Sequence, residues 1–252
     1  MFPSNPRQVP GSIRGRSASA FSFFRQKKYV EAREQLLKLL ELRDDIRDPE
    51  TVNPLLELLW CTWIFVDQYR EAADFFSAYI EKYPGDIRAH SLRASSFWYM
   101  GELQEAIKGY SKALELDPQN ILARSGRGQV LAESRNFGPA LEDLDFVIDN
   151  FENAQVSESV REQIEAYSLS ARAFAHAGLG DFERALSEFD RSLSIRPDNS
   201  FAYFNRAIVY EEKGRIAEAL AEYRVSLDKS RPKLPVLKRK YAEFKVKTIG
   251  KP

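Results

Sequence analysis

One cysteine, two histidines and two methionines are the whole supply of soft metal-binding and redox side chains in 252 residues. A single thiol, Cys61, excludes an internal disulfide and with it the oxidised, stapled scaffold of small secreted domains. His90 and His176 lie far apart in sequence, and neither stands at a paired spacing with another metal ligand. No glycine-rich phosphate loop is present. The sequence therefore offers no catalytic residues, no metal ligands and no cofactor motif, and it reads as a non-enzymatic protein. His90, His176 and Cys61 are all expected to be structural, because each falls on an apolar helical stretch. Long hydrophobic runs are missing too. The longest, Leu58–Val66, is broken by Thr62 and is far short of the roughly 20 residues that cross a bilayer. The expected location is cytoplasmic, without a membrane span.

Acids are lacking at the two ends. Residues 1–30 carry six Lys and Arg and no Asp or Glu, and residues 231–252 carry eight bases against Glu243 alone. Fourteen of the 37 bases and one of the 37 acids thus lie at the ends, and the body holds 23 bases against 36 acids. The Arg- and Ser-rich start has the composition of an organelle transit peptide, but from about Ser17 onward it fits the first structural unit. The basic C-terminal end is read as a solvated helix face rather than a nucleic-acid contact.

What the chain has in quantity is periodicity. When residues 53–86, 87–120, 121–153, 166–199 and 200–233 are aligned, Ala72, Ala106 and Ala140 stand 34 apart, as do Ala185 and Ala219, and Pro84 and Pro118. Each unit reads as two helices of about a dozen residues. Gly101, Gly180 and Gly214 supply the break between them, where a left-handed residue ends the first helix, and proline closes the unit. Small residues recur in each first helix (Ala20, Ala94, Gly128, Ala173, Ala207), where the partner helix must come close. Bulky ones recur in the second (Phe76, Tyr110, Phe189, Tyr223).

A 34-residue helix–turn–helix period resembles the tetratricopeptide repeat, and RPDNSFAYFNRAIVYEEKGRIAEALAEYRVSL is similar to ordinary members of that family. The resemblance covers most of the chain and implies an all-α fold, a right-handed α-solenoid of about six hairpins. The expected organisation is a flexible basic segment over 1–12, repeats at 13–46, 53–86, 87–120, 121–153, 166–199 and 200–233, an insertion at 154–165 that lengthens the neighbouring helix, and a basic C-terminal capping helix and tail over 234–252. Such a cap covers the apolar side that the last hairpin would otherwise expose.

The same resemblance implies a function: a scaffold or adaptor that binds a peptide or helix of another protein along the concave face lined by the first helices. Its groove positions carry over onto Arg25, Ile64, Phe65, Arg88, Trp98, Tyr99, Gln129, Phe174, Phe201 and Asn205, with Glu133, Tyr167, Phe204, Ile208 and Glu212 beside them. Trp98, Tyr99, Phe174 and Phe201 are the expected aromatic anchors. The Lys, Asn and Arg clamp with which some family members hold a chaperone's terminal carboxylate is not reproduced; only Asn205 and Arg88 resemble single members of it. Four arginines share one register position, Arg93, Arg127, Arg172 and Arg206, and are expected to pack their stems and pair with acids of the preceding repeat. Finally, residues 54–66 are apolar around the whole helix. That pattern predicts a cover over Cys61, Ile64 and Phe65, supplied by a second copy of the chain, by Phe2–Ile13 or by the partner. A homo-oligomer built on this second repeat is the alternative reading; nucleic-acid binding is a weaker one.

Overall fold

The computed structural model describes residues 11–42, 44, 46, 48–153, 156–229 and 235–249. Among them every regular element is helical: α1 (Gly11–Arg25), α2 (Tyr29–Leu40), α3 (Pro49–Ile64), α4 (Tyr69–Lys82), α5 (Ile87–Met100), α6 (Leu103–Leu116), α7 (Ile121–Glu133), α8 (Phe137–Asn150), a short 3-10 turn (Phe151–Asn153), α9 (Glu158–Gly178), α10 (Phe182–Ile195), α11 (Ser200–Glu212), α12 (Ile216–Asp228) and α13 (Val236–Ile249). Residues 1–10 of the basic arm lie outside the described residues, and Gly11 and Ser12 already belong to α1.

The helix boundaries follow from side chains placed at one register. Two residues after each unit-ending proline comes a capping group. Asp86 accepts from the Ala89 amide at 3.0 Å, Asn120 from the Ala123 amide at 3.1 Å and Asn199 from the Ala202 amide at 3.3 Å. Each satisfies one of the orphan amides of the helix that follows. Asp48 does the same for α3, accepting from the Glu50 and Thr51 amides at 3.1 Å just ahead of Pro49, a residue whose fixed φ suits the first helical position. Between the helices of each hairpin one residue takes positive φ. It is glycine in three units, Gly101 at 83°, Gly180 at 95° and Gly214 at 72°. In the others Lys27, Asp67 and Arg135 hold the same place at 61°, 57° and 61°. A side chain there is strained by about 1–2 kcal/mol, so hairpin packing rather than local preference sets the turn.

The chain divides within α5, after Ser96, into two compact units. In the first unit, Ala20 meets the α2 face bearing Leu36 and Leu39, and α3 contributes Val52, Leu55, Leu56, Leu59 and Trp63 to one core with Phe76 and Tyr79 of α4. Trp60, large for its register position, is accommodated because its indole N–H donates to Ser96 Oγ at 3.0 Å. Part of the α3 patch expected to be bare is covered from within the first unit. The Phe65 ring packs against Phe24 at 5.3 Å and Tyr29 at 5.1 Å, both from the first hairpin, and Ile64 is buried. The first hairpin thus brings more aromatic surface than its sequence suggested.

In the second unit the small residues of the first helices, Ala173 and Ala207, are fully buried, as are Leu144, Phe189 and Tyr223 of the second helices that face them. Helix α9 is longer than its counterparts at 21 residues, because Glu158–Glu165 extend its N-terminal end. The arginine ladder runs between these helices. Arg127 is bidentate on Asp143 at 2.6 and 2.8 Å and reaches Ser111 at 3.2 Å. Arg172 grips Glu188 at 2.9 and 3.1 Å and Asp145 at 2.9 Å. Arg206 pairs with Glu222 at 2.9 Å and Asp190 at 2.6 Å. In all three the acid of the arginine's own hairpin lies 16 residues ahead. Each guanidinium therefore ties its own second helix to that of the preceding hairpin, where the sequence suggested the preceding one alone.

Candidate functional site

Several functional candidates of the second unit lie close together. Trp98 near the end of α5 and Phe201 at the start of α11 stack at 5.4 Å with 29° between the planes, and Tyr167 of α9 stands 5.8 Å from Phe201. Burial pushes the Tyr167 phenol up to about 12, so it remains a neutral ring at physiological pH. Tyr99 meets Trp98 edge-on at 5.7 Å. The Trp98 indole N–H donates to Glu133 Oε2 at 2.6 Å. That carboxylate, at the last residue of α7, also accepts from Lys238 Nζ of α13 at 2.7 Å.

Lys238 is the centre of the arrangement. Its ammonium lies 5.7 Å from the Trp98 ring centroid and 5.4 Å from those of Phe201 and Phe204, within reach of the attraction between a cation and the negative face of an aromatic ring. Trp98, Phe201 and Lys238 are only 9, 7 and 9% exposed. Further along α13, Tyr241 packs edge-on against Phe204 and Tyr223 at 6.0 and 6.1 Å, and Lys245 pairs with Glu211. Hydrogen bonding to that carboxylate raises the Lys245 pKa. The C-terminal helix thus covers the last hairpin and also reaches back to α7 and α5.

Beside this contact a cleft of about 490 Å³ opens between Arg135, Phe204, Ile208, Glu211, Glu212 and Tyr241. A second hollow of about 230 Å³ adds Glu133, Phe174, Asn205 and Lys238 to the wall. Arg135 spans the entrance, pairing with Glu212 at 2.5 Å and lying 5.8 Å from the Phe174 ring. The lining joins aromatic and aliphatic side chains to three carboxylates, Glu133, Glu211 and Glu212, and two cations, Arg135 and Lys238.

Among the sequence candidates, then, Trp98, Tyr99, Phe201, Phe174 and Asn205 are gathered around the cage and the cleft. Gln129 sits on α7 with its amide turned back to Ser125 O and Oγ at 3.1 and 3.0 Å. In the first unit, Arg25 is exposed in the last turn of α1, Arg88 pairs with Glu57 at 2.5 Å, and Ile64 and Phe65 belong to the packing described above. The Cys61 thiol beside them is pushed up to about 12 by burial and by Glu57, so it stays an unreactive thiol. His90 Nε2 meets Pro84 O at 2.9 Å. Sequence reasoning missed Arg135, Glu211, Lys238 and Tyr241. Lys238, Tyr241 and Lys245, spaced three and four apart, share one helix face, which is the signal that pointed to α13. Among the described residues no group of three or more His, Cys, Asp or Glu side chains is placed to hold a metal, and no helix is long and apolar enough to cross a membrane.

Two family profiles match the chain, one described as TPR repeat over residues 94–134 and one as tetratricopeptide repeat over 170–235. The chain carries tetratricopeptide repeats. Its fold class is the all-α, right-handed solenoid of tetratricopeptide hairpins. A crystal structure of a tetratricopeptide repeat protein from Parabacteroides merdae superposes with a TM-score of 0.58 at 19% identity, covering 93% of both chains. Among curated relatives, human tetratricopeptide repeat protein 6 is 25% identical over 54% of this chain and 24% of its own length. Hsp70-Hsp90 organizing protein 3 of Arabidopsis thaliana is 28% identical over 42% of this chain and 19% of its own. The tetratricopeptide chain described here therefore matches a quarter or less of the length of these two relatives.

Proposed function

We propose that this tetratricopeptide protein is a protein-interaction scaffold whose second unit holds a peptide or helix of a partner in the cleft lined by Phe174, Phe204, Asn205 and Ile208. The observation that carries this reading is the cleft itself. It is a hollow whose lining sets the rings of Phe204 and Tyr241 and the Ile208 side chain beside Arg135, Glu211 and Glu212, a mixture of apolar and charged groups found at recognition surfaces. One relative is named an organizing protein for two chaperones, and a scaffold role is in keeping with that. The terminal-carboxylate clamp is incomplete, so the bound segment is internal to the partner rather than its C-terminus.

The test is affinity capture with the wild-type chain and with Asn205→Arg/Ile208→Arg, two half-buried positions whose enlargement fills the cleft. Specific partners should be lost from the variant while its helical circular dichroism and melting temperature stay near wild type. Retention of every partner by a folded, cleft-filled variant would refute the assignment of this cleft.

A further inference from the structure

The cage around Lys238 is built as a receptor for an ammonium group. Three ring faces, from Trp98, Phe201 and Phe204, surround the Nζ at 5.4–5.7 Å, and the Glu133 carboxylate closes the fourth side at 2.7 Å. Trp98 fixes that carboxylate through its indole N–H. Seven residues on, Lys245 finds Glu211, and Tyr241 between them lies over Phe204 and Tyr223. Helical geometry puts positions 1, 4 and 8 of such a segment on one face, so the surface reads the pattern lysine, two residues, aromatic, three residues, lysine.

Lys238 is buried, Lys245 is half-buried and Phe244 is 60% exposed. The two lysines and the Tyr241 ring make the cation–ring, ion-pair and edge-on ring contacts of this helix with the cage and the last hairpin. Contacts of this kind are reproduced by any helix carrying the same three groups, and the ionic ones weaken as salt rises.

We propose that α13 is an internal stand-in for the ligand, and that the partner segment of this protein is a basic amphipathic helix whose lysine displaces Lys238 from the Trp98–Phe201–Phe204–Glu133 cage. This rests on the scaffold reading above and gives it a chemistry. The acidic groups around the surface, Glu133, Glu211 and Glu212, complement a positively charged helix. The tethered α13 competes at an effective concentration of the order of millimolar, so an untethered helix binds the intact chain weakly and an opened chain well.

The test uses the full chain and a fluorescein-labelled peptide with the sequence of residues 235–249, followed by fluorescence anisotropy. Lys238→Gln/Tyr241→Ala/Lys245→Gln loosens the tethered helix, and this opened chain should bind the peptide at least tenfold more tightly than wild type. The same peptide with the lysines of positions 238 and 245 changed to Gln should bind the opened chain at least tenfold more weakly, and Glu133→Gln added to the opened chain should weaken the native peptide at least fivefold. Equal affinity of wild-type and opened chains, or indifference to the peptide lysines, overturns the proposal. If the triple variant loses helical signal, hydrogen exchange on the wild-type chain decides. Excess peptide must speed exchange of the amides of residues 238–245, and unchanged exchange overturns the proposal. A wild-type dimer that becomes monomeric on the triple substitution also overturns it, since the exchanged helix would then be that of a second copy. Failure of the peptide to bind while Asn205→Arg/Ile208→Arg still abolishes partner capture would sink the basic-helix proposal and leave the scaffold reading standing.

Discussion

Replacing Arg172 with Met removes the best-buried member of the arginine ladder. Arg172 and Glu188 are 9 and 8% exposed and share two hydrogen bonds, and Asp145 takes a third. Breaking a buried pair by deleting one partner costs about 3–5 kcal/mol, because the other charge is left without compensation. Here Arg184 remains 3.4 Å from Glu188 and Asp145 is half exposed, so the lower end, about 3 kcal/mol, is expected. The double variant Arg172→Met/Glu188→Leu removes both charges from the buried site, and it should return to within about 1 kcal/mol of wild type. The coupling between the two positions then exceeds about 2 kcal/mol by whatever Glu188→Leu alone costs. Lys108→Ala is the control: its pair with Glu105 is largely exposed and contributes about 0–0.5 kcal/mol. Urea denaturation followed by circular dichroism measures wild type, Arg172→Met, Glu188→Leu, the double variant and Lys108→Ala, with the m-value checking that one transition is being compared. If Arg172→Met costs no more than Lys108→Ala, or if the double variant loses as much as the two single ones together, the ladder does not bind the hairpins as argued.

Three further substitutions probe packing and protonation. A Cβ at Gly126 would lie 2.4 Å from two Tyr110 ring atoms, more than about 1 Å inside normal contact. The roughly 1–3 kcal/mol of overpacking should outweigh the gain of about 1 kcal/mol in helix propensity, so Gly126→Ala lowers the urea midpoint. Gly85→Ala, with nothing within 4 Å and no positive φ, should raise it slightly through the unfolded state; parallel shifts would discredit the close approach. His176 has its pKa lowered by desolvation and then by Arg184. A depressed folded value means that the unfolded chain binds the proton more readily, so this contribution is complete above the unfolded pKa of about 6.5 and is lost as pH falls from there toward the folded value. His176→Phe should therefore lose less stability than wild type between pH 7.5 and 5.5, and identical losses would assign the pH dependence to other groups.

Local structure was legible because each repeat states it again. The prolines, the caps at Asp86, Asn120 and Asn199 and the glycines at the hairpin breaks all act on their own neighbours, and 34-residue recurrence separates them from noise. Where the glycine is absent, Lys27, Asp67 and Arg135 hold the same register position in the structure, and there the residue type gave no sign of the turn. The candidate site was legible only by type. Trp98 and Phe201 were marked as inner-face rings, but their stacking joins residues from hairpins that are not adjacent in sequence, and no local rule encodes that distance. The cover on Phe65 was missed for a related reason. Phe24 and Tyr29 belong to the least regular repeat, where small shifts in register decide which way a ring turns. Lys238 was hidden because it lies beyond the repeats, where there is no periodic context to read it against.

The ladder has a consequence for how this chain tolerates change in length. Arg206 meets Asp190 16 residues upstream, whereas Arg172 meets Asp145 27 residues upstream, and the same guanidinium contact is made in both. Eleven residues have been absorbed between α8 and the middle of α9 without moving the point of attachment. The added length is taken up largely by the N-terminal extension of α9, and it is not loose: Ile164 closes a small apolar cluster with Val147 and Phe151, so the longer connection carries a core of its own.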